Sequence, residues 1–407
     1  MKFGGTSVAD ISRIMIVAKL IKEELSKGNQ VIAVVSAMAG DTNKLSKKVE
    51  NIATLYDARE YSAIVSSGEN ITAGLLAITL QGMSVSARSW QGWQVPINTS
   101  EEYSSARILK IETENLLNKF SEGMDVAVIA GFQGIAPDGR ITTLGRGGSD
   151  TSAVALSAAF NAERCDIFTD VDGIYTTDPR VCANARKLEK ISYEEMLELA
   201  SLGAKVLQTR SVELATIYKV RLRVLSSFSN VLNTNNGTLV CSEGEIVENK
   251  VIAGVAFSRD EAKITITGIE DRPGIAATIF SQLSEQTVNV DMIVQNISDN
   301  GLTDMTFSCP IDQVPRAEAA FRKDLQENTL GYDRLIIDKE IAKVSIVGVG
   351  MKTHSGIAKM MFESLARERI NIIVISTSEI KISVLIKRKY LELAVQTLHD
   401  TFGLEKA

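Results

Sequence analysis

The C-terminal part of the chain repeats itself, and no other feature of the sequence restricts its architecture as strongly. Residues 262–298 read AKITITGIEDRPGIAATIFSQLSEQTVNVDMIVQNIS, and residues 342–378 read AKVSIVGVGMKTHSGIAKMMFESLARERINIIVISTS. The offset is about 80 residues, the length of one supersecondary unit. Each copy predicts a strand, a turn with glycine (Gly274, Gly356), an amphipathic helix, an asparagine (Asn289, Asn371) and a second strand. The first copy continues with a strand at 303–309, a helix at 314–325 and a strand at 334–338, which makes βαββαβ. The second continues with a strand at 381–387 and a helix at 389–402, and so lacks one strand. One strand is spare upstream, at 251–257 (VIAGVAF). The expectation is that it completes the second copy, so that the first copy is inserted within the second.

Residues 1–225 follow a different pattern. Short β-branched runs at 30–36 (QVIAVVS), 125–129 (DVAVI) and 166–169 (DIFT) predict buried strands. Amphipathic segments at 11–25 and 149–162 lie between them. Such alternation predicts a mostly parallel sheet covered by helices on both faces, with ligands at the carboxyl ends of the strands. A stretch rich in Asn, Gly, Ser and Glu at 230–249 marks a boundary between the two patterns.

Composition narrows the function classes. With 44 basic and 50 acidic side chains the net charge is −6, which disfavours nucleic acid as the main partner. The four cysteines (Cys165, Cys182, Cys241, Cys309) are far apart and form no CxxC pair, so reduced thiols of a cytoplasmic protein are expected rather than a disulfide frame or a zinc site. No signal-like start or uninterrupted apolar run of membrane-spanning length is apparent. Both histidines, His354 and His399, fall in the repeat region. Hydrolytic chemistry through a histidine base is therefore not expected near the glycine-rich loops.

Those loops carry the chemistry. In Lys2-Phe3-Gly4-Gly5-Thr6-Ser7 two glycines let backbone N–H groups approach a phosphate, and Lys2 sits one step before the turn. A surface lysine before a glycine turn is the plainer reading, and no GxxxxGK[ST] loop occurs in the chain. In Gly145-Arg146-Gly147-Gly148-Ser149-Asp150-Thr151, Arg146 is suited to fork a carboxylate. Asp150 can cap the following helix, orient Lys2 or meet a magnesium ion. Residues 169–180 (TDVDGIYTTDPR) combine Asp, Tyr and Arg as a nucleotide loop would, and an EF-hand reading fails for want of its closing glutamate. Ser36, Thr42 and Glu69 (in SSGEN) are either helix caps or contacts to an amino-acid substrate. Phosphoryl transfer to a carboxylate unites these features. The nucleophile is already anionic, so the site must supply positioning and positive charge and needs no base.

Taken in order, KFGGTS (2–7), GRGGSD (145–150), TDVDGIYTTDPR (169–180) and LELASLGAKVL (197–207) resemble the aspartate kinases over essentially the whole chain. The resemblance implies a three-layer αβα sandwich of the amino-acid kinase fold, followed by two ferredoxin-like βαββαβ ACT domains. It divides the chain into a catalytic domain (1–230), a linker (231–250), a first ACT domain (258–340) and a second (251–257 plus 341–407). It implies ATP and Mg2+, with Lys2, Gly4 and Gly5 on the phosphates and Lys2, Arg146 and Asp150 in catalysis. Ser36, Thr42, Glu69, Phe132, Arg146 and Ser149 would bind aspartate, and Thr169, Asp170, Tyr175, Arg180 and Lys205 the nucleotide. The metal would be held mainly by phosphates, with Asp150 as a candidate ligand. Asp271, Gly274, Ile275, Ala276 and Gln295 would form one effector pocket. Thr353, His354, Gly356, Ser376, Thr377 and Glu379 would form the matching one, for lysine, threonine or both. Assembly through ACT pairing follows from the same likeness. Two departures stand out: only Met1 precedes Lys2, where the family has several residues, and Ser355 replaces a frequent proline, which leaves that loop less rigid.

A kinase of the same fold with another acceptor, a catalytically silent sensor and a dinucleotide oxidoreductase are the competing readings. The ACT repeat with Ser36, Thr42, Glu69 and Arg146 opposes the first. Intact Lys2, Arg146 and Asp150 oppose the second, and the lack of GxGxxG after any predicted strand opposes the third.

Overall fold

The computed structural model describes residues 1–202, 206–228, 237–246, 251–297, 301–327 and 331–406. The chain forms two compact units, Met1–Tyr175 with Lys187–Val247, and Thr176–Arg186 with Glu248–Ala407.

The first unit holds twelve of the strands assigned among the described residues. These are β1 (Lys2–Phe3), β2 (Val31–Val35), β3 (Ala87–Trp90), β4 (Ile97–Thr99), β5 (Ile108–Ile111), β6 (Val126–Ala130), β7 (Gln133–Ile135), β8 (Ile141–Thr143), β9 (Cys165–Thr169), β10 (Lys190–Ser192), β11 (Leu222–Ser226) and β12 (Thr238–Cys241). Eight of them form one sheet in the order β10-β12-β11-β9-β1-β2-β6-β3, and β5-β4-β7-β8 form a smaller one. The large sheet is parallel except where β12 runs antiparallel to β11. Its helices are α1 (Ile11–Ser26), α2 (Asp41–Glu50), α3 (Ala58–Val65), α4 (Ser67–Gly82), α5 (Glu114–Ser121), α6 (Gly148–Ala159), α7 (Tyr193–Ser201) and α8 (Thr209–Tyr218).

Strand alternation explains the layering. Val31, Ala33 and Val35 share a core with α1 and α4. Ile32 and Val34 face the opposite way, toward Ala153 and Leu156 of α6. Apolar on both faces, β2 and β6 read as continuous hydrophobic runs, as buried parallel strands should. The helical stretch Ala58–Gly82 is long and apolar enough by composition to cross a membrane, but half of it is buried inside the protein.

Two expectations about boundaries need correction. The segment expected to be a linker contains β12, whose Thr238, Val240 and Cys241 are fully buried in the sheet. Its β-branched TLVC run outweighs the polar composition around it. The catalytic region is also not continuous, because Thr176–Arg186 belongs to the second unit. There Thr176 accepts a hydrogen bond from the Val255 N–H at 2.7 Å, and the Gln396 amide donates to the Val181 carbonyl at 2.8 Å. A side chain at Gly254 would come within 2.6 Å of the Thr176 carbonyl, so this close approach requires glycine.

The second unit is one antiparallel sheet of β13 (Gly254–Glu270), β14 (Ile293–Ile297), β15 (Leu302–Pro310), β16 (Arg334–Val347), β17 (Ile372–Thr377) and β18 (Lys381–Lys387), ordered β14-β15-β13-β16-β18-β17. Its helices are α9 (Ile275–Glu285), α10 (Val314–Glu327), α11 (Ile357–Arg367) and α12 (Leu391–Thr401). Strands read separately in the sequence run together here. Gly254–Ser258 of β13 pairs with Val347–Lys343 of β16, and Lys263–Thr267 pairs with Asp338–Arg334, with bulges around Glu261 between the two stretches. At the bulge Lys343 is buried against Glu261 at 3.1 Å and against Asp291. Pairing compensates the burial of its charge, which would otherwise be prohibitive. Two apolar cores, one under α11 and α12 and one under α9 and α10, flank this polar junction.

Candidate active site

Parallel pairing of β1, β2, β6 and β9 brings their carboxyl ends to one edge of the sheet. Backbone hydrogen bonds tie the departing loops together there. The Gly4 N–H donates to the Phe168 carbonyl at 3.2 Å, Ser36 N–H to Phe3 at 3.1 Å and Gly131 N–H to Val35 at 3.0 Å. Phe3 and Phe168 stack at 4.9 Å beneath them. The motifs of residues 2–7 and 145–150 meet at this edge.

Lys2 pairs with Asp150, Nζ to Oδ1 at 2.5 Å, with both side chains 10% exposed. The contact is a charge pair without aligned hydrogen-bond geometry at Oδ1. A side chain at Gly4 would lie 3.4 Å from the Lys2 ammonium, and one at Gly5 would lie 3.0 Å from the Ala37 carbonyl. Gly4 thus places no side chain against the ammonium, and Gly5 lets the first loop lie against the second. Asp150 and Ser149 sit in the first turn of α6, which Gly147 begins in a left-handed conformation (φ 70°). That helix end adds partial positive charge where an anion would lie.

Glu69 opens α4 and is 3% exposed. Oε1 accepts from the Ala37 N–H at 3.0 Å, and Oε2 has no hydrogen-bond partner among the described residues. Burial pushes its carboxyl up to about 7, against the lowering by the Ala37 bond. A side chain at Gly68 would meet the Ala37 Cβ at 2.7 Å, so glycine lets α4 approach the β2 loop. An inward, unpaired carboxylate oxygen of this kind is suited to receive an ammonium group. Ser36 and Thr42 flank the same loop and are half-buried.

Phe132 adopts φ 69°, an unusual conformation for a non-glycine residue at a functional edge. Its N–H donates to Ser152 Oγ at 3.1 Å. A Cβ at Gly148 would come within 2.7 Å of its ring, and one at Gly131 would clash with Ser149 at 2.9 Å. Arg146 is exposed and makes no ion pair among the described residues.

On the nucleotide-loop side, Thr169 ends β9 and donates to the exposed Asp170 at 3.0 Å. Tyr175 donates to Asp172 at 2.9 Å, and Lys187 pairs with the same carboxylate at 3.1 Å. Burial raises the Asp172 carboxyl, but the Lys187 and Tyr175 bonds outweigh it and hold it below the usual range. Burial and the Asp172 bond push the Tyr175 phenol up. Asp172 belongs to the loop read from the sequence, but its partner Lys187 does not, because their 15-residue separation gives no local signal. Arg180 lies in the second unit, where its guanidinium pairs with Asp178 at 2.7 Å. Lys205 lies outside the described residues.

In the second unit Gly274 (φ 92°) and Gly356 (φ 97°) begin α9 and α11 in matching left-handed caps. Ile275 is buried, Ala276 packs at the edge of the core, and Gln295 is exposed on the edge strand β14. The Asp271 N–H donates to the Gly301 carbonyl at 3.0 Å. His354 Nδ1 is 2.8 Å from the Gly350 carbonyl, in a turn that ends at Thr353. Ser376 and Thr377 close β17, and Glu379 stands in the turn to β18.

No cluster of three or more His, Cys, Asp or Glu side chains able to hold a metal occurs among the described residues. Asp150 and the exposed Asp170 stand singly at the loop edge, which fits a cation carried chiefly by phosphate oxygens and water. The four cysteines are free and buried.

The parallel sheet thus gathers its lysine and glycine loops at the carboxyl edge, with the buried Glu69 carboxylate held against the loop after β2. The model of the amino acid kinase family matches residues 1–226, and that of an ACT domain matches residues 264–323 and 344–402. An aspartate kinase of Pseudomonas putida is 50% identical over 99% of this chain and 97% of its own length. An aspartokinase of Helicobacter pylori is 47% identical over 100% and 99%. The crystal structure of E. coli aspartokinase III in complex with aspartate and ADP (R-state) superposes with a TM-score of 0.79, at 27% identity over 98% of both chains. The chain belongs to the amino acid kinase family and, within it, to the aspartokinases. It has aspartate kinase activity and carries ACT domains.

Proposed function

We propose that the chain transfers the γ-phosphoryl group of ATP to the β-carboxylate of L-aspartate, giving 4-phospho-L-aspartate and ADP. A bond forms between a β-carboxylate oxygen and Pγ as the bond from Pγ to the leaving ADP oxygen breaks, and no proton need move. This is the first step toward lysine, threonine and methionine. The observation that carries the reading is the buried Lys2–Asp150 pair at the sheet edge, combined with the unpaired inward oxygen of Glu69.

In this reading Lys2, Gly4 and Gly5 hold the phosphates, and the α6 N-terminus with Lys2 offsets charge that develops on the transferring group. Asp150 keeps the Lys2 ammonium in place. Glu69 receives the α-ammonium of aspartate, Arg146 forks a carboxylate, and Ser36, Thr42, Phe132 and Ser149 complete the acceptor site. Thr169, Asp170, Tyr175, Arg180 and Lys205 serve the nucleotide. Mg2+ would be held by the ATP phosphates, with Asp150 as its one candidate protein ligand, and it supplies neutralisation of phosphate charge.

The regulatory half divides into two βαββαβ modules, 258–340 and 341–407 completed by 251–257. The pairing of Gly254–Ser258 with Val347–Lys343 supports that division. Lysine, threonine or both act as feedback effectors at Asp271, Gly274, Ile275, Ala276 and Gln295, and at Thr353, His354, Gly356, Ser376, Thr377 and Glu379. A neighbouring structure, E. coli aspartokinase III in complex with lysine and aspartate (T-state), supports the choice of effector class. The chain works in the cytoplasm as a homo-oligomer joined through these modules.

The test is incubation with ATP, Mg2+, L-aspartate and hydroxylamine. Aspartyl hydroxamate is expected, reduced on the order of 100-fold or more in Lys2→Ala and suppressed by lysine or threonine. Formation that is insensitive to Lys2→Ala would overturn the assignment of Lys2. Insensitivity to both amino acids would overturn the effector reading.

A further inference from the structure

We infer that Gln133 is the positioning residue for the acceptor amino acid: its buried amide clamps the start of α4 and so aims Glu69. The inference rests on the placement of Glu69 in the acceptor site.

Gln133 begins β7, directly after the strained Phe132, and is fully buried. Its Oε1 accepts from the Gly92 N–H at 3.1 Å. Its Nε2 donates to the Ser66 carbonyl at 3.3 Å and to Asn70 Oδ1 at 2.9 Å. The backbone partners fix the orientation of the amide, because an N–H needs the oxygen and a carbonyl needs the NH2. Ser66 and Asn70 bracket Glu69 on the first turn of α4. Glu69 in turn holds the Ala37 N–H, next to Ser36.

One amide thus links the loop after β6 to the helix that carries Glu69, and Glu69 links that helix to the loop after β2. Three pieces of the acceptor site share this path. The phosphate pieces, Lys2 with Gly4 and Gly5, border this path where the Ser36 N–H donates to Phe3 and Gly5 lies against the Ala37 carbonyl, but their own anchors are Asp150 and Phe168. A defect at Gln133 should therefore reach the acceptor and spare the nucleotide. Removing the Nε2 donor takes its bond from Asn70 Oδ1 and the side-chain bond from the Ser66 carbonyl, so the start of α4 is no longer tied to β7.

The experiment measures KM for aspartate and for ATP, kcat and the melting midpoint in Gln133→Glu, Asn70→Leu, Asn70→Asp and Glu69→Gln of the full chain. Gln133→Glu keeps the oxygen for Gly92 but places a carboxylate against the Ser66 carbonyl. It is expected to raise KM for aspartate about tenfold while KM for ATP stays within about twofold. Asn70→Leu is expected to raise it about threefold, and Asn70→Asp, which keeps an oxygen for Nε2, by less. A folded Gln133→Glu with aspartate KM unchanged, or with both KM values raised together, overturns the inference. If Gln133→Glu does not fold, Asn70→Leu decides by the same split. Glu69→Gln separates the two levels. If it leaves aspartate KM unchanged, the placement of Glu69 fails; if it raises aspartate KM while the Gln133 and Asn70 variants do not, only the role of Gln133 fails.

Discussion

At the scale of single residues, Glu69 sets a pH dependence with a defined sign. Its carboxyl is pushed up to about 7 by burial, and an arriving ammonium needs it ionised. KM for aspartate is therefore expected to fall several-fold as pH rises from 6 to 8, and Glu69→Gln should flatten the profile at a higher KM. Initial rates across that range check it. The same shift acts on the ligand-free protein in the other direction. A raised carboxyl contributes stability below its ordinary value, and that contribution is lost as pH rises through about 7. Bound aspartate should offset the loss. Lys2 and Asp150 illustrate how a local reading fares. The sequence leaves Asp150 three roles, a cap, a partner that orients Lys2 or a magnesium ligand, and the 2.5 Å contact between residues 148 positions apart selects the pairing with Lys2.

At the scale of elements, the loops depend on glycines whose necessity lies in their neighbours. Gly147 has φ 70°, and a Cβ there would fall 1.9 Å from Gln208 Cγ, at the start of α8. Gly147→Ala is expected to cost about 1–3 kcal/mol of stability and to lower activity. Adding Gln208→Ala should recover part of the stability by removing the overlap with Cγ and Cδ, leaving the 2.6 Å approach to the Gln208 Cβ and the backbone strain. Denaturant unfolding of the two variants checks this. The loops were legible as phosphate or substrate loops because glycine beside Lys, Arg and Asp is a local pattern. Gln208 as the wall behind Gly147 was not, since the two lie 61 positions apart with α6 and α7 between them. The same holds for β12, which sits inside a polar stretch and takes its identity from pairing with β10 and β11.

At the scale of the whole molecule, the chain leaves its first unit at Thr176 and returns at Lys187. Within the second unit this excursion is fastened at Thr176, whose Oγ1 accepts from the Arg186 N–H at 2.9 Å and lies 2.9 Å from Nε2 of the buried His399. Burial pushes the His399 imidazole down, more than Asp400 and Glu405 raise it. A base held below its ordinary value contributes stability at neutral pH that is lost as pH falls below about 6.5. Melting at pH 7.5 and 5.5 should show a larger loss in the natural chain than in His399→Gln; equal losses would remove His399 from the account. His399 was read in the sequence only as a residue away from the loops. Its partner was hidden because the nucleotide motif of 169–180 is shared between two units.

Periodicity, glycine placement and the 80-residue repeat settle the class of fold, the two kinds of unit and the chemistry of the loops from the sequence alone, because each is written in residues a few positions apart. Tertiary structure alone decided that Glu69 lies under Ala37, Gln133 on the start of α4 and Thr176 on His399, and it selected the Lys2–Asp150 pairing from the readings the loop left open. It also joined into single strands, β13 and β16, what reads as four. The reason is physical. Local backbone preferences act over one or two turns, whereas desolvation, close approach and strand pairing depend on what the fold brings from elsewhere in the chain.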